Sequence, residues 1–535
     1  MVVLRDAAAE YEDVVRLEPE NAGALRELAE VYGRLAEHAE AIRIWKLYLE
    51  IDPGSFDGFL KLGTHNLALG EPQQAIPALQ SAVGLRPSSP GAHQGLGDAF
   101  ARAEQPAEAV TAYQRALELE PGSVITRIKL GETLLRSERL DEALAEAETI
   151  LVEDERNRYG LELKARGLRD QRQLESADAA ADRLLALYPN DVKHSYLKVT
   201  IAEARRDFGT VAELLVALLA RDKSDEDPAD AVRNDRAFLV HLGFARQQLG
   251  QHELAVEAFS RAKQVGEKPG AELLGYLVEA NRLAGNHDAA LAEVQAARAR
   301  FPDVPALAGL QASVLDALGR AQEARQVVED LERDSPGDTD VLLEVASFYQ
   351  RGKEFEEAER VLRQAREIES SNLRTLFQLG AVLERQKRHD EAEALFREAL
   401  EVEPDSAPIL NYLGYMNADR GVRLDEALAL IERAVALDPE NGAYLDSLGW
   451  ALYRLNRLEQ AESHLRRALT KEGQNAVILS HLGDILHRRG DVREAVEYWR
   501  KALGGEDEDE ELDRDTVELK IREAESHLDG PRQEF

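Results

Sequence analysis

The chain has 535 residues, no cysteine, 44% hydrophobic and 31% charged residues, and a formal net charge of −35. That balance describes a folded, soluble chain, and the missing thiols exclude disulfides, thiolate metal sites and cysteine nucleophiles. A negative field of this size repels nucleic-acid backbones and anionic lipid surfaces; it keeps a long exposed array soluble, with attraction of a basic partner as the alternative reading.

From the N-terminus, Ala7, Tyr11, Val14 and Pro19 match the second half of a pattern that later recurs in full, so residues 1–21 read as a half-repeat. A lone half leaves exposed the face its first helix should cover. An upstream piece is therefore expected, and any signal or lipid attachment would lie in it. A closing Pro then recurs at Pro19, Pro53, Pro87 and Pro121, and again at Pro189, Pro302, Pro336, Pro404 and Pro439. With no N–H and a fixed φ it cannot continue a helix. Ser55, Asp191, Asp338 and Asn441 follow such positions as helix caps. Inside the unit, Gly70, Gly250, Gly285, Gly319, Gly421, Gly490 and Asn456 share one place, where a left-handed turn between two helices is predicted. Ala41, Ala75, Ala109, Ala143, Ala255 and Ala358 mark a close crossing on the second helix.

Residues 1–225 form an N-terminal array that degenerates over about 124–225, where the large second-helix residue becomes Ala147 and Ala181. The apolar run at 211–220 is half the length of a membrane span and carries Glu213. An acidic insertion at 226–235 is predicted as a solvated loop, with a hinge as the alternative. A second array, 236–503, is more regular. Leu376, Leu379-Gly380, Leu383, Ala392, Phe396, Ala399 and Pro404 are followed at the next period by Leu410, Leu413-Gly414, Ile431, Ala434 and Pro439. The period after that holds Leu445, Leu448-Gly449, Leu452, Ala461, Leu465 and Ala468. An acidic linker, 504–513, precedes a capping helix and tail, 514–535, with Val517, Ile521 and Ala524 at helical spacing.

No catalytic constellation stands out. There is no Gly-rich phosphate loop, HExxH or GxSxG elbow, and the acidic runs lack the alternating ligands of a calcium loop. His481, Asp484 and His487 lie close in sequence, but the two histidines are about 240° apart around a helix, which spoils them as joint metal ligands. No enzyme activity, cofactor or metal site is expected.

The period of 34 residues, with its Leu-Gly pair, small-large-small trio and closing Pro, resembles the tetratricopeptide-repeat superfamily over nine tenths of the chain. The resemblance implies an all-α solenoid of about 14 full repeats, a right-handed superhelix whose first helices line a concave groove for peptides or partner helices. The strings LNYLGYMNADRGVRLDEAL, AYLDSLGWALYRL and ILSHLGDILHRRGD, with Ala427 one position late, are similar to bacterial envelope-associated repeat proteins. Some of these look like outer-membrane lipoproteins that tether a protease to its substrates. The compartment then lies between the bacterial envelope, given an upstream signal or lipobox, and the cytoplasm. The carboxylate clamp of chaperone-tail binders is absent, since its places hold Arg26 and Glu30, Leu60 and Thr64, Gln94 and Asp98, or Ile128 and Glu132.

On such first helices, repeat positions 5, 9 and 12 form one stripe. In most repeats it is charged or small, but near the C-terminus it becomes Asn411 and Tyr415, then Asp446, Trp450 and Tyr453, with Phe377 before and Asp484 and His487 after. Aromatics beside an Asn and an Asp suit peptide recognition, while the alternative is that Trp450 and Tyr453 are ordinary core. The chain therefore reads as a scaffold for protein or peptide partners. The alternative is an assembly protein that self-associates through exposed solenoid ends.

Overall fold

The computed structural model describes residues 2–224, 226–505 and 512–528. Among these, thirty helices follow one another with no strand, and the first and second helices of a repeat run 13 and 14 residues in most units. The chain divides into two compact units, 1–214 and 215–535.

Two local devices build each repeat. The first helix is entered through a side-chain cap: Asn21, Ser55, Ser89, Ser123, Asn157 and Asp191 each accept a backbone N–H in the first unit, as Asp338, Asn372, Asn441 and Asn475 do in the second. Each such cap contributes about 1 kcal/mol. The two helices of a repeat are joined by a residue with positive φ. Gly70, Gly250, Gly285, Gly319, Gly421, Gly490 and Asn456 occupy it, as their spacing predicts. The same conformation is held at Ala36, Glu104, Glu138, Arg172, Arg206, Lys353 and Lys387. Side chains there cost about 1–2 kcal/mol relative to glycine, so the turn is imposed by the packing of the two helices and not by residue choice alone.

That packing is close because the Gly of the Leu-Gly pair faces a large residue on its own second helix. A Cβ on Gly97 would stand 2.6 Å from Tyr113, on Gly243 2.5 Å from Phe259, on Gly380 2.6 Å from Phe396 and on Gly483 2.4 Å from Trp499. The crossing alanines Ala41, Ala75, Ala109, Ala143, Ala255 and Ala358 are fully buried. Where Ala147 replaces the large residue, Gly131 is covered by Leu163 of the following repeat, at 2.3 Å from the same ideal Cβ. One repeat later Ala165 replaces the glycine opposite Ala181, and both are fully buried.

The acidic segment 226–235 is not a solvated loop. Asp227 caps a single helix, Pro228–Gln248, and the segment supplies its first two turns. Arg221, its side chain only 10% exposed, holds Glu226 at 2.5 and 2.7 Å and Asp235 at 2.8 Å. Residues 227–230, 232 and 233 are nonetheless exposed, so the segment is a helix with a solvated face. At the far end, the helix Arg514–Leu528 buries Val517, Ile521 and Ala524 in the core that also holds Trp499. Of the acidic linker, residues 506–511 lie outside the described residues. No helix among the described residues is long and apolar enough to cross a membrane.

Candidate functional site: a cleft on the last repeats

Three consecutive first helices, Ala407–Arg420, Gly442–Arg454 and Ala476–Arg489, bring the stripe together in the second unit. Asn411, Tyr415, Asp446, Trp450, Asp484 and His481 line one open cleft of about 740 Å³. Arg385 and Arg420 add to its lining, as do Thr516 and Lys520 from the C-terminal helix.

Its floor is a buried ion pair. His481 Nδ1 lies 2.8 Å from Asp446 Oδ1, and both residues are 8% exposed. Burial disfavours a charge on this imidazole, but the charge and hydrogen bond of Asp446, with Asp484 beyond, outweigh it and raise His481 above the ordinary imidazole range. Trp450 stacks on that ring at 4.2 Å and on Tyr453 at 5.0 Å, and its indole N–H donates to Asp419 at 3.2 Å. Both faces of Trp450 are therefore occupied within the protein, and it is half-buried: neither a free contact surface nor a core residue.

The other stripe residues divide. Asp484 accepts from Trp499 Nε1 at 2.9 Å and from Lys520 Nζ at 2.8 Å, which ties the cleft to the C-terminal helix. Asn411 has a buried side-chain oxygen with no hydrogen-bond partner, an acceptor that the fold leaves unused. Tyr453 and His487 line a smaller recess of about 230 Å³ with Trp499 and Lys520, and His487 is exposed, its ring 5.3 Å from Trp499. Phe377 is not brought to the cleft. It packs at 5.4 Å from Tyr412 and 5.9 Å from Phe396, as part of an aromatic cluster against the apolar core. The sequence reading also missed His481, weighed only as a metal ligand. The available signal was its place one residue beyond the stripe, facing Asp446 of the preceding repeat. No group of three or more His, Cys, Asp or Glu suited to a metal occurs among the described residues.

Comparison with known proteins finds a tetratricopeptide repeat model matching residues 4–56, 60–124, 283–339, 390–442 and 447–511. Two further tetratricopeptide repeat models match 338–404 and 100–167. No curated protein sequence matches. Among solved structures, yeast Tom70 is 15% identical over 88% of this chain and 96% of its own, with a TM-score of 0.41. The Cut9–Hcn1 hetero-tetramer of APC/C is 15% identical over 88% and 90%, with a TM-score of 0.39. YrrB, described as a TPR protein with an unusual peptide-binding site, is 19% identical over 36% and 98%, with a TM-score of 0.33.

Proposed function

This chain belongs to the tetratricopeptide repeat family, and from that premise we propose that it is a non-catalytic scaffold holding a partner's peptide or helix in the cleft of its last repeats. The observation that carries the reading is the convergence of Asn411, Tyr415, Asp446 and Trp450 on one cleft, with the Asn411 acceptor unpaired beside it. A buried acceptor without a partner costs about 1–3 kcal/mol, and a rotation of the Asn411 amide toward a bound segment's backbone N–H would relieve it. The Trp450 stack serves this reading as a rigid wall, with its ring edge and not its faces toward the ligand. The likeness of these repeats to envelope-associated adaptors supports an adaptor role, in which the bound partner is brought to a second protein.

Photocrosslinking tests the cleft directly. A benzophenone amino acid at position 415 should trap a discrete partner in cells of the source organism, and Asn411→Ala should remove that product without changing helicity. Equal trapping from Val402, exposed on a second helix, would sink the cleft as the site. A second reading, self-association, is favoured by Val2, Val3 and Leu17, which are 75%, 79% and 79% exposed on the opening helix Val2–Leu17. It requires a mass that rises with concentration in light scattering.

A further inference from the structure

The charge of the chain reverses sign over 453–501, as it also does over 156–173, where Arg158, Lys164, Arg166 and Arg169 are paired with carboxylates. Residues 453–501 carry ten Lys and Arg against seven Asp and Glu, in a protein of net charge −35. Several of these cations are neutralised. Arg466 pairs with Glu462 and Glu494, Arg489 with Glu462 and Asp491, Lys471 with Glu440, and Arg500 with Glu525. Arg457, Arg488 and Arg493 are exposed and have no carboxylate partner among the described residues.

The matched positions of other repeats show what sets two of these cations apart: the missing partner of Arg457 and the unusual sign of Arg493. Arg139, Arg320, Arg388 and Arg423 also precede a second helix, and each pairs with a Glu three residues on: Glu142, Glu323, Glu391 and Glu426. Arg457 precedes Leu458–Glu472 in the same way, but the residue three on is Gln460. Arg493 is the second residue of Val492–Leu503, where the four preceding second helices place Glu356, Asp390, Asp425 and Glu459. A cation in the first turn opposes the helix dipole, where an anion is favoured by about 0.3–1 kcal/mol. Both arginines therefore stand at some expense to local stability.

The third reaches the cleft through stacked rings. The Arg488 guanidinium lies 5.1 Å over the ring of Tyr453, which stacks on Trp450, which stacks on His481. A column of cation and rings thus runs from solvent to the buried ion pair. Arginine and aromatic side chains held rigid beside a cleft are the residues that dominate binding energy at protein interfaces.

We propose that Arg457, Arg488 and Arg493 form the docking surface for an acidic segment of the partner, whose adjoining residues enter the cleft. This rests on the cleft being the binding site. The bulk charge by itself points to a basic partner, but the three arginines set unpaired cations beside a cleft whose own lining is mixed, Glu384, Asp419, Asp446, Asp484 and Asp513 against Arg385, Lys387, Arg420 and Lys520. A nucleic acid fits less well, because three arginines cannot offset the repulsion of a long polyanion by the rest of the chain.

The test is fluorescence anisotropy with the full chain and three labelled probes: a Glu/Asp-rich peptide of about twelve residues containing a tyrosine, its Lys-rich mirror, and a single-stranded DNA of matched length. Saturable binding of the acidic peptide is expected, weakened by added salt and about tenfold or more by the triple variant Arg457→Glu, Arg488→Glu, Arg493→Glu. Glu at 493 restores the charge favoured by the helix, so circular dichroism of the variant should show undiminished helicity. Unchanged binding by the variant overturns the proposal, as does preference for the basic peptide, or DNA binding of equal strength and equal sensitivity to the triple change. Failure of every probe also overturns it. If crosslinking from position 415 still traps a partner in that case, the cleft stands and only the acidic chemistry falls.

Discussion

Residues 124–204 and 341–503 are built from the same helix pair, yet they pack differently. In the C-terminal stretch the second helices present Leu362, Phe396, Ile431, Leu465 and Trp499 to the small residues of their partners. The buried side chains there merge into long clusters, one running from Val278 to Met416 and the next from Ala418 to Ala524. In the N-terminal stretch the matching residues are Ala147 and Ala181, and the core is broken into short clusters around Leu130 and Leu161. Both stretches also bury charge: Glu393, Asp446 and His481 in the C-terminal one, and His194 and Lys198 in the other. Lys198, 8% exposed, is held by Asp178 and Asp182 at 2.6 Å each, and His194, 1% exposed, makes no hydrogen bond through either ring nitrogen, with Asp191 and Glu162 3.8 Å away. Between these two stretches the size of the second-helix side chain changes together with the continuity of the core, and in a stacked array interface strength sets local stability.

The largest test of this comparison is truncation of the large residue. Phe396→Ala should cost about 3–5 kcal/mol in urea denaturation, since Gly380 and Tyr412 would face an unfilled cavity. A loss below about 1 kcal/mol would mean the ring does not organise its repeat. Hydrogen exchange compares the two stretches directly. Amides of 140–187 should open at a free energy lower by about 2 kcal/mol or more than those of 358–399, and equal protection would break the comparison.

The two stretches should also respond oppositely to pH. Asp446 and Asp484 raise His481 against its burial, so the stability it contributes is full below the ordinary imidazole pKa and is lost as pH rises through its folded value. Burial lowers His194, with Asp191 and Glu162 opposing, so stability there is full above the ordinary pKa and is lost as pH falls through the folded value. Hydrogen exchange at pH 5.5 and 8 should show the C-terminal repeats loosening on the alkaline side and 158–204 on the acid side. Loosening of both on the same side would contradict the assignment, and His481→Gln should flatten the C-terminal response. The smallest effect concerns the turns. Glu138→Gly should stabilise the weak stretch by about 0.5–1 kcal/mol, because Glu138 holds a φ of 57° that glycine adopts freely. A neutral result would show that the local hydrogen bonds of that turn already offset the strain.

The site was partly legible. The positions of Asn411, Tyr415, Asp446 and Trp450 follow from repeat register, and register alone brings them to one cleft. Register does not say which ring faces are free. His481 covers one face of Trp450 and Tyr453 the other, through contacts between neighbouring repeats that depend on side-chain conformation. Phe377 satisfied the same spacing but had Phe396 and Tyr412 within reach, and packing claimed it.

Sequence by itself determined the helix pair, the period, the caps at Ser55, Asp191, Asp338 and Asn441, and the place of each internal turn. All of these are local or periodic, set by hydrogen bonds and apolar spacing within a few residues. Tertiary structure decided the rest. It made a helix of the acidic segment at 226–235 with Glu226 and Asp235 held on Arg221, kept charged residues in left-handed turns, and filled the gap beside Gly131 with Leu163. It also built a buried ion pair beneath Trp450. Each of these outcomes depends on which neighbour arrives from the adjoining repeat, and burial there multiplies the cost of an unpaired charge or an empty volume in a way that no local pattern carries.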